Sequence, residues 1–297
     1  MPPSTLVRFR KRDSGEIVEE AIFSERTLRW FYEHPVGSLV FRGLLNNRPF
    51  CDWYGRQMDR PRTAARIPDF IAQFGIDMAE AEPATYKSFN AFFTRRLLPT
   101  ARPFDQDPRA LCAAGDGKAL VYPVLDEDVR LPIKGTACSP EALLAGEAAA
   151  FAGGAALILR LAPYDYHRFH FPDGGMAAAA RRVPGGYHSV NPIALAKVPD
   201  LFCRNKRDVT IVETDHFGKV AIIEVAAITI GTIVQTYQPG RVERGQEKGY
   251  FQYGGSTVVL LFEPGRVRFD DDLVADSVAG LEVAVKCGSR IGLSARG

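Results

Sequence analysis

The spacing of hydrophobic residues differs between the first hundred residues and the rest of the chain. Between residues 24 and 45, apolar side chains recur at helical intervals, at Leu28, Phe31, Leu39, Val40 and Leu44. His34-Pro35 and Gly37 interrupt this pattern, which therefore predicts two short helices with Ser24 as the first N-cap residue. The same periodicity predicts helices over residues 63–74 and 88–98.

After about Arg102, the apolar residues form short runs of strand length. The runs cover residues 118–125, 155–161, 209–214, 219–225, 257–262 and 281–286. Asp215-His216-Phe217-Gly218 is typical of a hairpin connection between two of them. Helices of crossover length do not alternate with these runs, so the pattern argues against a doubly wound parallel sheet. It predicts an α+β fold, with short helices in an N-terminal region (1–99) followed by a mainly antiparallel, β-rich domain (100–297).

Composition narrows the class of protein. Among 297 residues, 46% are hydrophobic and 24% are charged, as in ordinary soluble domains. The net charge of +2 argues neither for nor against a nucleic-acid partner, and none is expected. The first twenty residues lack the apolar core of a secretory signal. The apolar stretches 148–159 and 220–234 are too short or too β-branched to cross a bilayer as helices, so we expect a soluble or peripheral protein.

The five cysteines are widely scattered. They are Cys51, Cys112, Cys138, Cys203 and Cys287. Their odd number, and the absence of any CxxC pair, predict neither a disulfide framework nor a zinc site. This usage indicates a reducing compartment.

The first candidate for chemistry is Gly254-Gly255-Ser256-Thr257, directly before an apolar strand. Glycine leaves its carbonyl open to close approach. The Ser256 hydroxyl could therefore attack the Gly255 carbonyl and convert the amide into an ester. Elimination across the serine Cα–Cβ bond would then cut the chain. The alternative is a β-bulge or strand entry in which the hydroxyl is a local cap.

Histidine and aspartate supply candidate acid–base groups. His167 and His170 are three residues apart, which could place both imidazoles on one side of a turn for proton transfer near neutral pH. No third ligand gives a recognisable metal site, and none is predicted; the alternative is two hydrogen-bonded histidines at a strand end. Asp116, between two glycines, is either a turn residue or the carboxylate that orients an imidazole. The chain has no GxSxG, Walker A or GxGxxG motif.

These segments occur in an ordered series that resembles the phosphatidylserine decarboxylase family. The series comprises Tyr86-Lys87-Ser88-Phe89-Asn90-Ala91-Phe92-Phe93-Thr94-Arg95, Arg102-Pro103, Gly115-Asp116-Gly117, Ile133-Lys134-Gly135, Ser139-Pro140-Glu141-Ala142-Leu143-Leu144, Asp165-Tyr166-His167-Arg168-Phe169-His170-Phe171-Pro172, Ser189-Val190-Asn191-Pro192, Leu201-Phe202-Cys203-Arg204-Asn205 and Gly254-Gly255-Ser256-Thr257. Relatives often have Leu where this chain has Gly254, although Gly-Gly is a familiar variant. His188 replaces a position that is often apolar or aromatic, and we expect it on the surface or in packing rather than at the substrate.

The resemblance implies a self-processing enzyme with a pyruvoyl cofactor. Ser256, aided by His170 and Asp116, would attack the Gly255 carbonyl. The precursor would separate into a large chain (1–255) and a small chain (256–297) whose first residue becomes the pyruvoyl group. That group would form a Schiff base with the amine of phosphatidylserine and act as an electron sink for its decarboxylation to phosphatidylethanolamine. The family implies that His167 donates the proton in this second reaction, a carboxy-lyase activity.

Residues 24–66 are the candidate membrane-docking segment. They contain both tryptophans, five further Phe and Tyr residues, and eight arginines against four acidic residues. Aromatic and basic residues on short amphipathic helices fit an anionic membrane surface, so a peripheral enzyme on the cytoplasmic face of the cell membrane is expected. The alternative is packing of the aromatic side chains onto the β-rich domain. A homodimer, a pyruvoyl enzyme for a soluble amino acid, and an uncleaved non-enzymatic relative all stay open.

Overall fold

Short helices fill most of the N-terminal region in the computed structural model, which describes residues 7–125, 138–146, 148–198, 200–228, 232–254 and 256–295. The helices are α1 (Glu25–Glu33), α2 (Pro35–Val40), α3 (Arg48–Met58), α4 (Ile67–Phe74) and α5 (Phe89–Phe93), with a π-helical turn at Phe41–Leu45 and 3-10 turns at Pro61–Arg66 and Met78–Glu80. The two helices predicted between residues 24 and 45 are confirmed. His34 separates them because its ring accepts a hydrogen bond from the Val36 amide and caps α2. The predicted helix over 88–98 is shorter and ends at Phe93.

Seventeen strands are described. They are β1 (Arg8–Lys11), β2 (Ile17–Glu19), β3 (Ala110–Cys112), β4 (Gly117–Tyr122), β5 (Ala155–Leu161), β6 (Arg168–His170), β7 (Gly175–Ala177), β8 (Arg181–Val183), β9 (Arg207–Thr214), β10 (Gly218–Val225), β11 (Ile233–Gln235), β12 (Gly240–Val242), β13 (Glu247–Phe251), β14 (Ser256–Phe262), β15 (Val267–Phe269), β16 (Glu282–Val285) and β17 (Arg290–Ser294). Four further helices, α6 (Pro140–Leu144), α7 (Pro192–Leu195), α8 (Leu201–Arg204) and α9 (Asp271–Val278), and a 3-10 turn at Ala149–Phe151 lie between them.

One large sheet carries most of the strands. Its order is β12-β7-β9-β10-β14-β5-β4-β16-β1-β2, with β8 paired to β9, and two three-stranded sheets complete the fold. Among the strand pairs described, only β1 and β16 run parallel. This topology confirms the α+β class and the mainly antiparallel sheet, as well as the hairpin turn between β9 and β10.

Strand β14 lies in the middle of the large sheet and is buried on both faces. Val258 and Leu260 belong to a core cluster on one face, together with Phe169 and Phe171. Val259 and Leu261 belong to a second cluster on the other face. Successive side chains of a strand point to opposite faces, so a run of apolar residues fits a strand covered on both sides. The β14–β5 pairing then fixes where Ser256 lies.

The helices form a third cluster at the N-terminal end of β14. Phe89, Phe92 and Phe93 pack with Tyr253, just before the candidate cleavage site. The N-terminal region is not wholly helical, since β1 and β2 extend the large sheet through β16. The division at residues 99 and 100 stays a prediction. None of the helices that the structure describes is long and apolar enough to cross a membrane.

Cysteine usage differs from the expectation drawn from spacing. Cys138, just before α6, forms a disulfide with Cys203 in α8, and the two Cα atoms are 6.1 Å apart. The prediction of no disulfide was wrong for this pair. The two residues are separated by 65 positions in the sequence, and only the tertiary packing of α6 against α8 brings them together.

Candidate active site

The ends of three adjacent central strands, β14, β5 and β4, lie side by side along one edge of the large sheet, where these strands begin or end. In the antiparallel register, Ser256 at the start of β14 lies opposite Leu161 at the end of β5. Lys118, near the start of β4, lies opposite Arg160 of the same β5. The loop after β5 carries His167, and Asp116 precedes β4. The register therefore gathers segments that are far apart in the sequence.

The Ser256 side chain is fully buried, and its Oγ has no hydrogen-bond partner among the described residues. Most buried hydroxyl groups are hydrogen-bonded, so the Ser256 hydroxyl, like that of the adjacent Thr257, needs an explanation, and a catalytic role is one such explanation. Gly255, the predicted site of cleavage, lies outside the described residues, as does the Ile133-Lys134-Gly135 segment. Gly254 has φ +132°, a conformation that residues with a side chain rarely adopt.

His167 is fully buried and uncharged. Its Nδ1 donates to the Asp165 carbonyl over 2.8 Å, and its ring centroid is 3.9 Å from that of Phe93. Because a carbonyl only accepts, the proton is on Nδ1 and Nε2 keeps its lone pair. Burial, together with the weaker effect of the charges of Arg95 and Lys118, lowers the pKa of His167 to about 3, although hydrogen bonding to the backbones of Asp165 and Gly254 acts in the opposite direction. No partner within good hydrogen-bond geometry of Nε2 is described.

His170 is only partly buried and has both ring nitrogens in contact. Nδ1 donates to the Gly245 carbonyl over 3.0 Å, and Nε2 lies 3.4 Å from the Tyr166 hydroxyl. Burial lowers the pKa of His170, while the Gly245 carbonyl and, more weakly, the charge of Asp116 raise it. Both predicted histidines therefore present a neutral ring with an unprotonated Nε2.

Asp116 is held by an arginine rather than by a histidine. Arg102 donates to its two carboxylate oxygens over 2.8 and 2.7 Å, and the Cys287 amide donates over 2.8 Å. In the part of the chain that the structure describes, no hydrogen bond joins Asp116 to His167 or His170. Asp116 thus lies near the histidines, but no hydrogen bond among the described residues supports its predicted role in orienting an imidazole.

Several charged residues at this site had no role in the sequence analysis. Lys118 and Asp165 form a buried ion pair, with Nζ–O distances of 2.8 and 2.9 Å, which fixes the loop whose carbonyl holds His167. Arg160 is buried between Glu20 and Glu282. A lysine inside an apolar strand such as β4 was an available signal, since buried charges are almost always paired. The partners themselves could not be read from spacing.

The two remaining conspicuous histidines lie elsewhere. His188 is buried, packs 5.3 Å from the ring of Phe41 and has Nε2 3.1 Å from the Asn46 amide nitrogen. It therefore packs the helices against the sheet, in keeping with the expected packing role. His216 lies in the β9–β10 turn, where its ring is 3.1 Å from Asp173.

The cavities along this edge of the sheet include an apolar one and a polar one. The apolar cavity, of about 280 Å³, lies between the N-terminal helices and the sheet, and is lined by Leu28, Phe31, Phe50, Leu161, Val190 and Gly254, among others. The polar cavity, of about 160 Å³, lies beside Asp116 and is lined by Arg95, Arg102, Tyr164, Asp165 and Tyr166, among others. Gly254 and Leu161 bring the apolar cavity next to Ser256, which suits a substrate with a large apolar part.

Comparison with known proteins agrees with this arrangement. Residues 89–293 match the model of the family described as phosphatidylserine decarboxylase. A phosphatidylserine decarboxylase proenzyme of Clostridium botulinum is 40% identical over 292 residues, covering 97% of this chain and 99% of the relative. Proenzymes of the same name from Desulfitobacterium hafniense and Ruminiclostridium cellulolyticum are also 40% identical, each covering 97% of this chain and, respectively, 98% and 97% of the relative. The chain therefore belongs to the phosphatidylserine decarboxylase family.

Proposed function

We propose that this chain is the precursor of a phosphatidylserine decarboxylase that cleaves itself between Gly255 and Ser256. The observation that carries the proposal is the buried Ser256 hydroxyl, which has no hydrogen-bond partner among the described residues and lies beside a cavity suited to lipid. An enclosed nucleophile with neutral histidines nearby fits a self-processing reaction, which each molecule undergoes only once. The proenzyme names of the relatives support the same conclusion for this chain.

The proposed cleavage requires no reactants other than groups of the chain itself and water. The Ser256 hydroxyl passes its proton to His170, supported by Asp116, and its oxygen bonds to the Gly255 carbonyl carbon. The amide C–N bond then breaks as His170 returns the proton to the Ser256 nitrogen. Removal of the Ser256 Cα proton then breaks the Cβ–O bond. This step frees the Gly255 carboxylate and leaves dehydroalanine at position 256. Water replaces its nitrogen, ammonia departs, and the small chain begins with a pyruvoyl group.

The pyruvoyl group supplies an electron sink for the carbanion formed when carbon dioxide leaves. The residues present fit such a group, because position 256 is enclosed and its Oγ takes no hydrogen bond from the described residues. We assign His167 to proton transfer in this reaction. Its neutral Nε2 can accept the proton of the substrate ammonium and later return it to the substrate Cα.

The two chains would stay associated after cleavage. β14 belongs to the small chain, whereas its neighbours β5 and β10 belong to the large chain. The division into residues 1–255 and 256–297 thus separates the chains without separating the sheet. The homodimer stays a prediction, to be checked by light scattering.

Intact mass under denaturing conditions tests the proposal directly. We expect two chains that divide between Gly255 and Ser256, the small one blocked at its N-terminus, and carbon dioxide release from phosphatidylserine. A single chain of full mass in an active preparation would contradict self-cleavage. Activity on free amino acids but not on phosphatidylserine would favour the soluble-substrate alternative, and a folded, uncleaved, inactive protein would favour the non-enzymatic one.

We further propose that the N-terminal helices dock on the cytoplasmic face of an anionic membrane. Large apolar side chains are exposed on α1, α2, the π-helical turn and α3, namely Trp30, Val36, Leu39, Leu44 and Trp53. Arg26, Arg42 and Arg48 are exposed in the same segment. Apolar side chains that enter the interface beside basic residues bind anionic bilayers. The apolar cavity is lined by the other side of these helices, so docking would place it at the lipid surface.

Charge substitution in this segment tests the docking. Leu39 is 74% exposed and Leu44 is 66% exposed, so Leu39→Glu with Leu44→Glu should not disturb the core. We expect at least about a tenfold loss of activity on phosphatidylserine vesicles and of vesicle co-sedimentation, because two large apolar side chains no longer enter the bilayer. Activity on soluble dihexanoyl phosphatidylserine should be retained.

Val278 offers a matched control, since it is 84% exposed but lies at the end of α9, outside the proposed docking segment. Val278→Glu should leave both activities unchanged. Equal vesicle activity of the double variant and Val278→Glu would argue against docking through the N-terminal helices.

A further inference from the structure

Arg95 has an unusual environment for a charged side chain. It follows α5 and is only 6% exposed, with its guanidinium carbon 5.0 Å from the centre of the Phe92 ring. Nη2 makes one long contact, 3.4 Å, with the Tyr164 carbonyl. Nε and Nη1 have no hydrogen-bond partner among the described residues. Burial lowers the pKa of Arg95, which reflects how poorly its charge is compensated.

Neighbouring cations are paired with carboxylates. Arg102 binds Asp116 and Glu80, and Lys118 binds Asp165. Arg160 has Glu20 and Glu282. Burying a charge without a partner is costly, so such groups are retained where they serve a ligand or a reaction. Arg95 is thus a buried cation with unused donors at a site where the other cations have a carboxylate.

Arg95 is one of the residues that line the polar cavity next to the proposed reaction centre. Asp116, Asp165 and Tyr166 line the same cavity. The positive charge of Arg95 also contributes to lowering the pKa of His167. Carboxylates in the wall would repel an anion if they were unpaired. Asp116, Asp165 and Glu80 each have a cationic partner, and Asp77 caps the Ala79 amide at the rim. Of the two arginines that line this cavity, Arg102 is paired with carboxylates, whereas no ion pair of Arg95 is found among the described residues.

We propose that Arg95 binds an oxyanion of the substrate headgroup, and this rests on the function proposed above. Phosphatidylserine offers two such groups, its phosphodiester and its carboxylate, and a planar guanidinium with two unused N–H donors suits either. The bound anion also neutralises the cation that opposes protonation of His167.

The test compares Arg95→Met and Arg95→Lys with the parent protein. Arg95→Met should be cleaved normally and melt no lower than the parent, because it removes an uncompensated buried charge. We expect its KM for dihexanoyl phosphatidylserine to rise at least about tenfold, as for a lost charge-assisted hydrogen bond. Arg95→Lys should recover part of that loss, because it restores the charge but not the paired donors.

Arg207 provides a matched control that separates ligand binding from structure. It is 2% exposed, and its donors are used by the carbonyls of Ala142, Leu143, Cys203 and Asn205. Arg207→Met should therefore lower the melting temperature and leave KM unchanged. If Arg95→Met behaves in the same way, Arg95 has a structural role only and the proposal is overturned.

Product inhibition distinguishes the two oxyanions. Dihexanoyl phosphatidylethanolamine keeps the phosphodiester and lacks the carboxylate. If Arg95 binds the phosphodiester, Arg95→Met weakens inhibition by this product by the same factor as it raises KM for the substrate. If Arg95 binds the carboxylate, Arg95→Met raises KM but leaves product inhibition unchanged. An unchanged KM in a cleaved, active Arg95→Met enzyme rejects the assignment and leaves the proposed function intact. A parent protein without decarboxylase activity would instead reject the proposed function.

Discussion

Replacing Ser256 by alanine is expected to leave one chain of full mass with no decarboxylase activity. The change removes the oxygen that attacks the Gly255 carbonyl and, with it, the precursor of the pyruvoyl group. Because the Ser256 hydroxyl is buried and makes no hydrogen bond with any residue that the structure describes, its removal should cost little folding free energy. Intact mass, a thermal melt and carbon dioxide release together measure the outcome.

The adjacent threonine is the matched control for this experiment. The Thr257 hydroxyl is also fully buried and without a partner among the described residues, but it points to the opposite face of β14. Thr257→Val should therefore be cleaved and active. Cleavage of Ser256→Ala at the same bond would show that the nucleophile is another group, and loss of cleavage in both variants would indicate a general effect of packing.

His170→Ala is expected to remain uncleaved, whereas His167→Ala should be cleaved and lose decarboxylation. A positioned general acid or base contributes about 10²- to 10⁴-fold, so kcat of cleaved His167→Ala should fall by that order. His170→Ala removes the base assigned to Ser256. Chain masses report the first reaction, and kcat of the cleaved fraction reports the second.

His216→Ala is the control, since His216 lies in the β9–β10 turn against Asp173 and has no assigned role. It should be cleaved and active. The alternative outcome is informative, because within the described part of the chain Nε2 of His167 has no hydrogen-bond partner, whereas Nε2 of His170 contacts the Tyr166 hydroxyl. An uncleaved His167→Ala protein together with a fully processed His170→Ala protein would exchange the two roles.

The local pattern of hydrophobic residues predicted correctly those strands whose residues are apolar because both faces are buried. The apolar run over 155–161 predicted β5 at its observed bounds, because both faces of this strand are covered. The helix over 88–98 was predicted too long. The helix α5 ends at Phe93 with Thr94 as its C-cap, Arg95 lines the polar cavity, and Leu97 pairs with Ala81 in an isolated bridge. The spacing of hydrophobic residues alone does not predict that the helix ends before Arg95.

Pairings between distant residues were beyond the sequence analysis. β1 was not predicted, since its four residues pair with β16 more than 270 positions away. The Lys118–Asp165 and Arg102–Asp116 pairs, and the Cys138–Cys203 disulfide, depend in the same way on strand register and helix packing. The candidate residues Asp116, His167, His170 and Ser256 came from motif order, whereas the hydrogen-bond partners of these residues required the tertiary structure.

The central position of β14 has a consequence for the stability of the cleaved protein. Once the bond before Ser256 is broken, the middle strand of the large sheet belongs to a separate molecule held between β5 and β10. Unfolding then releases two chains, and recovery becomes a bimolecular reaction in which a short chain must insert between two strands. The melting temperature of the mature enzyme would therefore depend on concentration, and its loss of activity on heating would be governed by the rate of unfolding rather than by an equilibrium.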